Sequence, residues 1–135
     1  MAVSTRTLRM KSPTMLLLAV TAAGCETLPP AEAVWQTAHL IDTAQTMQIA
    51  KNPECYHEKN PITRSLIGKH PSEEAVVAWG IGMAVAHYQV TRLLTRYEAP
   101  RWVQWGWQAV SIGSTGAAVV NNHEIGLRPF GTDCP

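Results

Sequence analysis

The sequence is poor in charge, and the charge that it has is nearly balanced. Only 16% of its 135 residues are charged, and 11 Lys and Arg against 10 Asp and Glu give a formal net charge of +1. A soluble domain usually has about a quarter of charged residues. With 46% hydrophobic residues, the chain is not a disordered polyelectrolyte, and it has no overall basic footprint for nucleic acid. The length predicts a single folded domain.

The sequence also lacks the residue spacings of common metal-binding and catalytic motifs. It contains no Cys-x-x-Cys, no His-Glu-x-x-His and no Gly-x-Ser-x-Gly, which are typical of zinc sites and of a serine nucleophile. No glycine-rich loop follows a strand pattern, so a phosphate cradle has no support. We therefore favour a non-enzymatic role and expect no cofactor.

The first 24 residues have the pattern of an export signal. Residues 1–14 carry three basic residues and no acid, and residues 15–24 are apolar or small. This run is shorter than the roughly 20 residues that a spanning helix needs, and it predicts a signal peptide over 1–24. Removal of this segment would leave a slight excess of acidic residues.

The sequence around Cys25 resembles the lipobox of bacterial lipoproteins, because Ala22-Ala23-Gly24 precede the cysteine. The resemblance implies cleavage before Cys25, a covalent diacylglyceryl group or acyl chain such as palmitate at Cys25, and a lipidated tether over 25–30. It places the chain on the periplasmic side of the inner or outer membrane. Ordinary signal cleavage and an uncleaved anchor are the alternatives.

Two further cysteines remain if Cys25 is lipidated. In an oxidising compartment Cys55 and Cys134 can form a disulfide bond. Two unpaired thiols are the alternative.

Proline and capping residues divide the rest into three helical segments, which predict an all-α domain over 31–128 and a tail over 129–135. Segment A covers 31–50, a turn-rich loop with three X-Pro steps covers 51–71, segment C runs from an N-cap at Ser72 to Arg96, and segment D covers 101–120. In segment A the apolar residues Ala33, Leu40, Ala44 and Met47 recur at helical spacing. A neighbouring face is polar: Trp35, His39, Asp42, Gln45 and Thr46.

Small residues at every fourth position predict that C and D form a close hairpin. They are Ala78, Gly82 and Ala86 in C and Ala109, Gly113 and Ala117 in D. Arginine and tryptophan cluster at the C–D connection, as at a membrane interface. We therefore favour membrane insertion of segments 75–94 and 101–120 over a soluble or peripheral bundle, and we consider homo-oligomers through Gly82 and Gly113.

One set of polar residues is the only candidate for chemistry, and most of it is expected to form structural hydrogen bonds. A metal site built from His39, Asp42, His87 and His123 is the minor alternative, since two or three histidines with a carboxylate can hold zinc. The full set is His39, Asp42, Gln45, Glu58, Asn60, His70, His87, Asn121 and His123.

The order of these residues resembles a group of small lipoproteins or membrane proteins of phages, prophages and proteobacteria that have no established activity. The pattern is His-x-x-Asp-x-x-Gln-Thr, then Glu-x-Asn-Pro, His-Pro-Ser and Asn-Asn. It falls on residues 39–46, 49–53, 58–62, 68–72, 87, 101–102, 112–113 and 121–126. More loosely, the chain is similar to small membrane families with Asp-x-x-x-Thr followed by Glu-x-Asn-Pro: Asp42, Thr46, Glu58, Asn60 and Pro61.

The expectation is thus a membrane-anchored envelope lipoprotein of non-enzymatic role, with membrane lipid and an envelope protein as partners and no nucleic acid. By analogy with the phage group, it would modify the host envelope or exclude superinfecting phage. The alternatives are a metal-assisted hydrolase at the membrane surface and a structural membrane hairpin that oligomerises.

Overall fold

The computed structural model describes residues 28–132 and residue 134. The predicted signal peptide, Cys25 and the first part of the tether lie outside the described residues.

Four helices make up most of the described chain, which confirms the all-α prediction. Helix α1 spans Pro30–Lys51, α2 spans Pro61–Ile67, α3 spans Glu73–Arg96 and α4 spans Arg101–Glu124. Two short antiparallel strands follow, β1 (Leu127–Arg128) and β2 (Gly131–Thr132), with Leu127 opposite Thr132.

Capping side chains explain where two of these helices begin. The Ser72 hydroxyl accepts a hydrogen bond from the Ala75 amide, as the sequence predicts for the start of α3. The side-chain Oδ1 of Asn60 accepts hydrogen bonds from the backbone amides of Ile62 and Thr63, so part of the predicted loop forms the short helix α2. Helix α4 continues past the predicted end at 120. Asn121 and Asn122 are part of the helix, which ends at Glu124.

Helix α1 lies between the other two long helices and packs on both more extensively than they pack on each other. The Trp35 indole donates to the Thr115 hydroxyl on α4 at 3.0 Å, and the His39 ring bonds to the Gly80 carbonyl on α3 at 2.9 Å. The side chains that point inward therefore come from the polar face of α1, whereas Leu40 is largely exposed.

The predicted close hairpin of α3 against α4 is wrong. A Cβ atom at Gly82 or Gly113 would have nothing within 4 Å outside its own helix. The physical reason is that α1 occupies the space between the two helices, so their small-residue stripes face outward. All six residues of the predicted contact are exposed: Ala78, Gly82, Ala86, Ala109, Gly113 and Ala117.

The close approach on α3 occurs at Gly80 instead. A Cβ atom there would lie 2.6 Å from Cγ2 of Thr43 on α1. We expect Gly80→Ala to lower the free energy of unfolding by about 1–2 kcal/mol, because overpacking outweighs the better helix propensity of alanine. Urea unfolding followed by circular dichroism measures this.

Gly82→Ala is the matched control, since it makes the same change on the same helix in open space. It should raise the free energy of unfolding by about 0.5–1 kcal/mol. Equal effects of the two substitutions would contradict the assigned packing.

The apolar core is small and lies where α1 ends. Ile49, Tyr56 and Leu127 are buried together, with Cys55 packed against them. Cys55 and Cys134 form a disulfide with a Cα–Cα distance of 5.9 Å, which confirms the predicted pairing. The tail is thus fixed to the segment that follows α1.

Among the described residues, no helix is long and apolar enough to cross a membrane, although the sequence favours insertion of 75–94 and 101–120.

Candidate functional site

A buried carboxylate holds the three long helices together near the start of α1. The side chain of Glu32 is fully buried. Its two oxygens accept hydrogen bonds from side chains of all three long helices, at 2.7 to 3.2 Å: Gln36 on α1, His87 and Thr91 on α3, and Gln108 on α4. The Glu32 carboxylate therefore links α1, α3 and α4 through hydrogen bonds to a single side chain.

Four rings stack beside this carboxylate. The Trp35 indole lies between the rings of His39 and His87, at centroid distances of 4.7 and 3.6 Å. Trp107 covers the far side of His87 at 4.7 Å. The Trp107 indole also donates to the Thr91 hydroxyl at 3.0 Å. The stack thus connects α1, α3 and α4 through aromatic contact as well as hydrogen bonds.

The hydrogen bonds decide the ionisation of Glu32. Burial by itself would raise the pKa of this carboxyl, but the bonds from Thr91, Gln36, His87 and Gln108 favour the charged form and hold the pKa below its ordinary value. An ionised carboxylate only accepts hydrogen bonds, so Nδ1 of His87 must carry the proton that it shares with Glu32.

A second polar site lies in a cleft between α1, α4 and the segment that precedes α2. The cleft has a volume of about 590 Å³. Asp42 and Thr46 come from α1, Glu58 and Asn60 precede α2, and Ser114 and the last turns of α4 close the other side. The lining residues are Asp42, Thr46, Glu58, Lys59, Asn60, Pro61, Thr63, Ser114, Ala117, Ala118, Asn121, Asn122, Glu124 and Ile125.

Asp42 is the electrostatically unusual group of the cleft. Burial and the nearby Glu58 raise its pKa to about 6, because both disfavour its charged form. The Asn122 amide donates to its Oδ1 at 3.0 Å. Asp42 therefore exchanges its proton close to neutral pH, a property common in functional sites and also found in structural networks.

The side chains beside Asp42 in the cleft differ in whether they have a hydrogen-bond partner. Glu58 is buried, and its Oε1 accepts a hydrogen bond from the backbone N–H of Asn60 at 2.8 Å. Thr46 is only 5% exposed, and none of the hydrogen bonds among the described residues uses its hydroxyl. The cleft therefore presents two carboxylates and a hydroxyl from its walls, which suit a ligand with hydrogen-bond donors or positive charge.

Asp42→Asn should change how stability depends on pH. The folded protein holds the Asp42 proton more tightly than the unfolded chain, so wild-type stability should fall as the pH rises from about 4 to about 6. At pH 7 the variant should be more stable by about 2–3 kcal/mol. Urea unfolding at a series of pH values measures both effects.

Glu58→Gln provides the companion measurement, because it removes the charge that acts on Asp42. It should reduce the slope between pH 4 and pH 6 without abolishing it. A slope that persists unchanged in Asp42→Asn would assign the titration to another group.

The residues of the predicted polar set do not form one cluster in the structure. His39 and His87 belong to the ring stack, and the Gln45 amide donates to the carbonyls of Val119 and Leu127. Asp42, Glu58, Asn60 and Asn121 line the cleft. His70 and His123 are exposed, and the His70 ring is 6.4 Å from that of His57.

The alternative metal site is wrong for the four residues named. In the described part of the chain, no three of His39, Asp42, His87 and His123 come within ligand distance of one another. The reason is that His39 and His87 are held on opposite faces of Trp35, and His123 points to solvent. A different group does meet that distance, Glu54 with Cys55 and Cys134, but its two sulfurs are bonded to each other.

Sequence reasoning missed Glu32, Thr91 and Gln108, the residues that complete the buried network. Thr91 and Gln108 are separated by 59 and 76 residues from Glu32, whose carboxylate they contact, and no local spacing relates them to it. One available signal is that Glu32 lies in the first turn of α1, three residues before Trp35 and hence on the same face.

Comparison of the chain with protein-family models, curated proteins and solved structures finds no match.

Proposed function

We propose that the protein is an exported, lipid-anchored envelope protein that acts by binding and not by catalysis. The Cys55–Cys134 disulfide carries the export part of this proposal, because such bonds persist in oxidising compartments. The signal pattern and the lipobox-like Cys25 point in the same direction. An acyl chain on Cys25 would hold the helical domain at the periplasmic side of a membrane.

The binding surface that we propose is the cleft. The residues of the Asp-x-x-x-Thr and Glu-x-Asn-Pro patterns come from two neighbouring segments, 42–46 and 58–61, and all of them line it: Asp42, Thr46, Glu58, Asn60 and Pro61. Two carboxylates beside amide and hydroxyl groups favour a partner that offers amines or other hydrogen-bond donors. An envelope protein with an exposed lysine or arginine fits this description.

The proposed biological role is modification of the host envelope or exclusion of superinfecting phage. It rests on the resemblance to the phage and prophage group and on the predicted export of the chain. Expression in a phage-sensitive host should then lower plaque formation. Asp42→Ala should abolish this effect while the protein remains in the membrane fraction.

The anchoring part is tested by the mass of the mature protein, extracted from membranes with and without reductant. We expect a diacylglyceryl-sized addition that is lost in Cys25→Ser, and a gain of two hydrogens on reduction. Cys134→Ser is the matched control, because it should keep the acyl group and lose the response to reductant. An unmodified full-length mass would overturn lipid anchoring.

A different result would contradict the proposal that the protein acts by binding and not by catalysis. Purified protein that turns over a substrate, and loses this activity in Asp42→Ala, would show that the cleft is an active site.

A further inference from the structure

The tether and the α3–α4 connection lie at the same end of the helical bundle. Leu28 and Pro29, the first described residues, line a cavity of about 390 Å³ together with Arg92 and Arg96 at the end of α3. A neighbouring cavity joins the start of α1 to Arg101 and Trp105 at the start of α4.

This end of the bundle exposes aromatic and basic side chains together. Tyr97, Trp102 and Trp105 are 75%, 76% and 71% exposed. Arg96 and Arg101 are also exposed. Tryptophan and tyrosine prefer the boundary between lipid headgroups and acyl chains, and arginine pairs with lipid phosphates. We name these five residues the basal surface.

We propose that the basal surface docks on a membrane of anionic phospholipid, which fixes the orientation of the anchored domain. The proposal rests on the lipid anchor proposed for Cys25. Only residues 26 and 27 separate that cysteine from Leu28, and a residue spans at most about 3.6 Å. An acylated Cys25 would therefore keep Leu28 within about 11 Å of the headgroups, and the start of α1 at Pro30, with the basal surface beside it, within about 18 Å.

Charge complementarity selects this occupant. The basal surface has two exposed arginines, and Glu98 is the exposed acid in the connection between α3 and α4. An anionic lipid surface attracts each arginine, which corresponds to about a fivefold gain in the docking equilibrium per residue. Three exposed aromatic rings supply the apolar contact that a purely electrostatic encounter lacks.

Docking in this orientation would direct the cleft away from the membrane. Asn121 in the cleft is 20 residues after Arg101 on the continuous helix α4, and a helix rises about 1.5 Å per residue, which gives about 30 Å. The carboxylates of the cleft would therefore be presented to the periplasm, beyond the layer of lipid headgroups.

The test uses the mature acylated protein in vesicles of phosphatidylglycerol and phosphatidylcholine that carry brominated acyl chains, which quench tryptophan fluorescence at short range. Wild-type fluorescence should be quenched, and Trp102→Phe with Trp105→Phe should remove most of the quenching. Arg96→Gln with Arg101→Gln should lower the ratio of docked to undocked protein about 25-fold. Vesicles of phosphatidylcholine alone should give the same loss.

Two control variants locate the contact. Trp79→Phe removes a tryptophan on α3 outside the basal surface and should leave the quenching unchanged. Phe130→Trp, introduced into the variant that lacks Trp102 and Trp105, places a fluorophore at a fully exposed position between β1 and β2, at the other end of α4. It should restore fluorescence without restoring quenching.

Quenching that does not depend on Trp102 and Trp105, or that is equally strong for the added tryptophan at 130, would overturn the proposal. If these rings were already shielded from solvent in detergent without vesicles, and crosslinking gave oligomers, the basal surface would be assigned to a second copy of the chain. That result would also overturn the docking proposal. The mass of the same preparation reports acylation separately. An acylated protein without basal quenching would refute docking and leave the anchor in place.

Discussion

Replacing Glu32 with alanine is expected to lower the free energy of unfolding by about 3–5 kcal/mol, as for other buried charged groups that lose one partner. The carboxylate is fully buried and accepts hydrogen bonds from side chains of three helices. Its removal leaves several buried donors without an acceptor, each of which costs about 1–3 kcal/mol. Urea unfolding followed by tryptophan fluorescence measures the loss.

Glu54→Ala is the matched control, because this acid is exposed in the turn after α1. It should change the free energy of unfolding by less than about 0.5 kcal/mol. If both substitutions had equally small effects, the Glu32 network would not be what holds the three helices together.

The contribution of Glu32 to the free energy of unfolding should also depend on pH and should decrease in acid. Hydrogen bonds keep its pKa in the folded protein below the ordinary value, so the stabilisation is present above pH 4–5 and is lost as the pH falls through the lower folded value. The difference between wild type and Glu32→Ala should therefore shrink in acid.

Loss of the Cys55–Cys134 disulfide is expected to lower the free energy of unfolding by about 4–5 kcal/mol. The bond closes a loop with a sequence separation of 79, and the chain-entropy model gives about 4.5 kcal/mol for a loop of this length. Unfolding of the double variant Cys55→Ser and Cys134→Ser, compared with the oxidised wild type, measures the difference.

Reductant supplies the control for this comparison. It should lower the stability of the wild type to that of the double variant and leave the double variant unchanged. A wild type that gains two hydrogens on reduction and keeps its stability would mean that the contacts of Leu127 with Ile49 and Tyr56 hold the tail without the covalent bond.

The local features of the fold could be predicted from the sequence. Ser72 and the prolines mark the starts of α3 and α4, because capping and proline geometry act within a few residues. The disulfide followed from an argument by elimination once Cys25 was set aside. The end of α4 could not be placed, since Asn121 and Asn122 resemble a helix stop although they form part of its last turns.

The packing could not be predicted, because periodicity finds faces without saying which face is covered. On α1, Leu40 of the apolar face is exposed, whereas Trp35 and His39 of the neighbouring face are buried. Burial of polar groups is favourable only when they find partners, and those partners lie on α3 and α4. Likewise, Gly80 and Gly82 are equivalent by composition, and only the position of Thr43 distinguishes them.

The candidate site was predictable in part. The sequence identifies Asp42, Glu58 and Asn60 as candidates, and the structure places them on one cleft. The raised pKa of Asp42 depends on burial and on its distance from Glu58, which no spacing in the sequence provides.

The disulfide also divides the chain mechanically. It closes a covalent ring that contains α2, α3 and α4, whereas α1 lies outside the ring and ends shortly before Cys55. If the chain is anchored at Cys25 and held by a partner at the cleft, tension would pass from the anchor into α1. The first contacts to carry that load would be those of Glu32, near the start of α1. The covalent ring would stay closed while α1 was pulled away from α3 and α4, so the buried carboxylate would set the force at which α1 begins to detach from the rest of the domain.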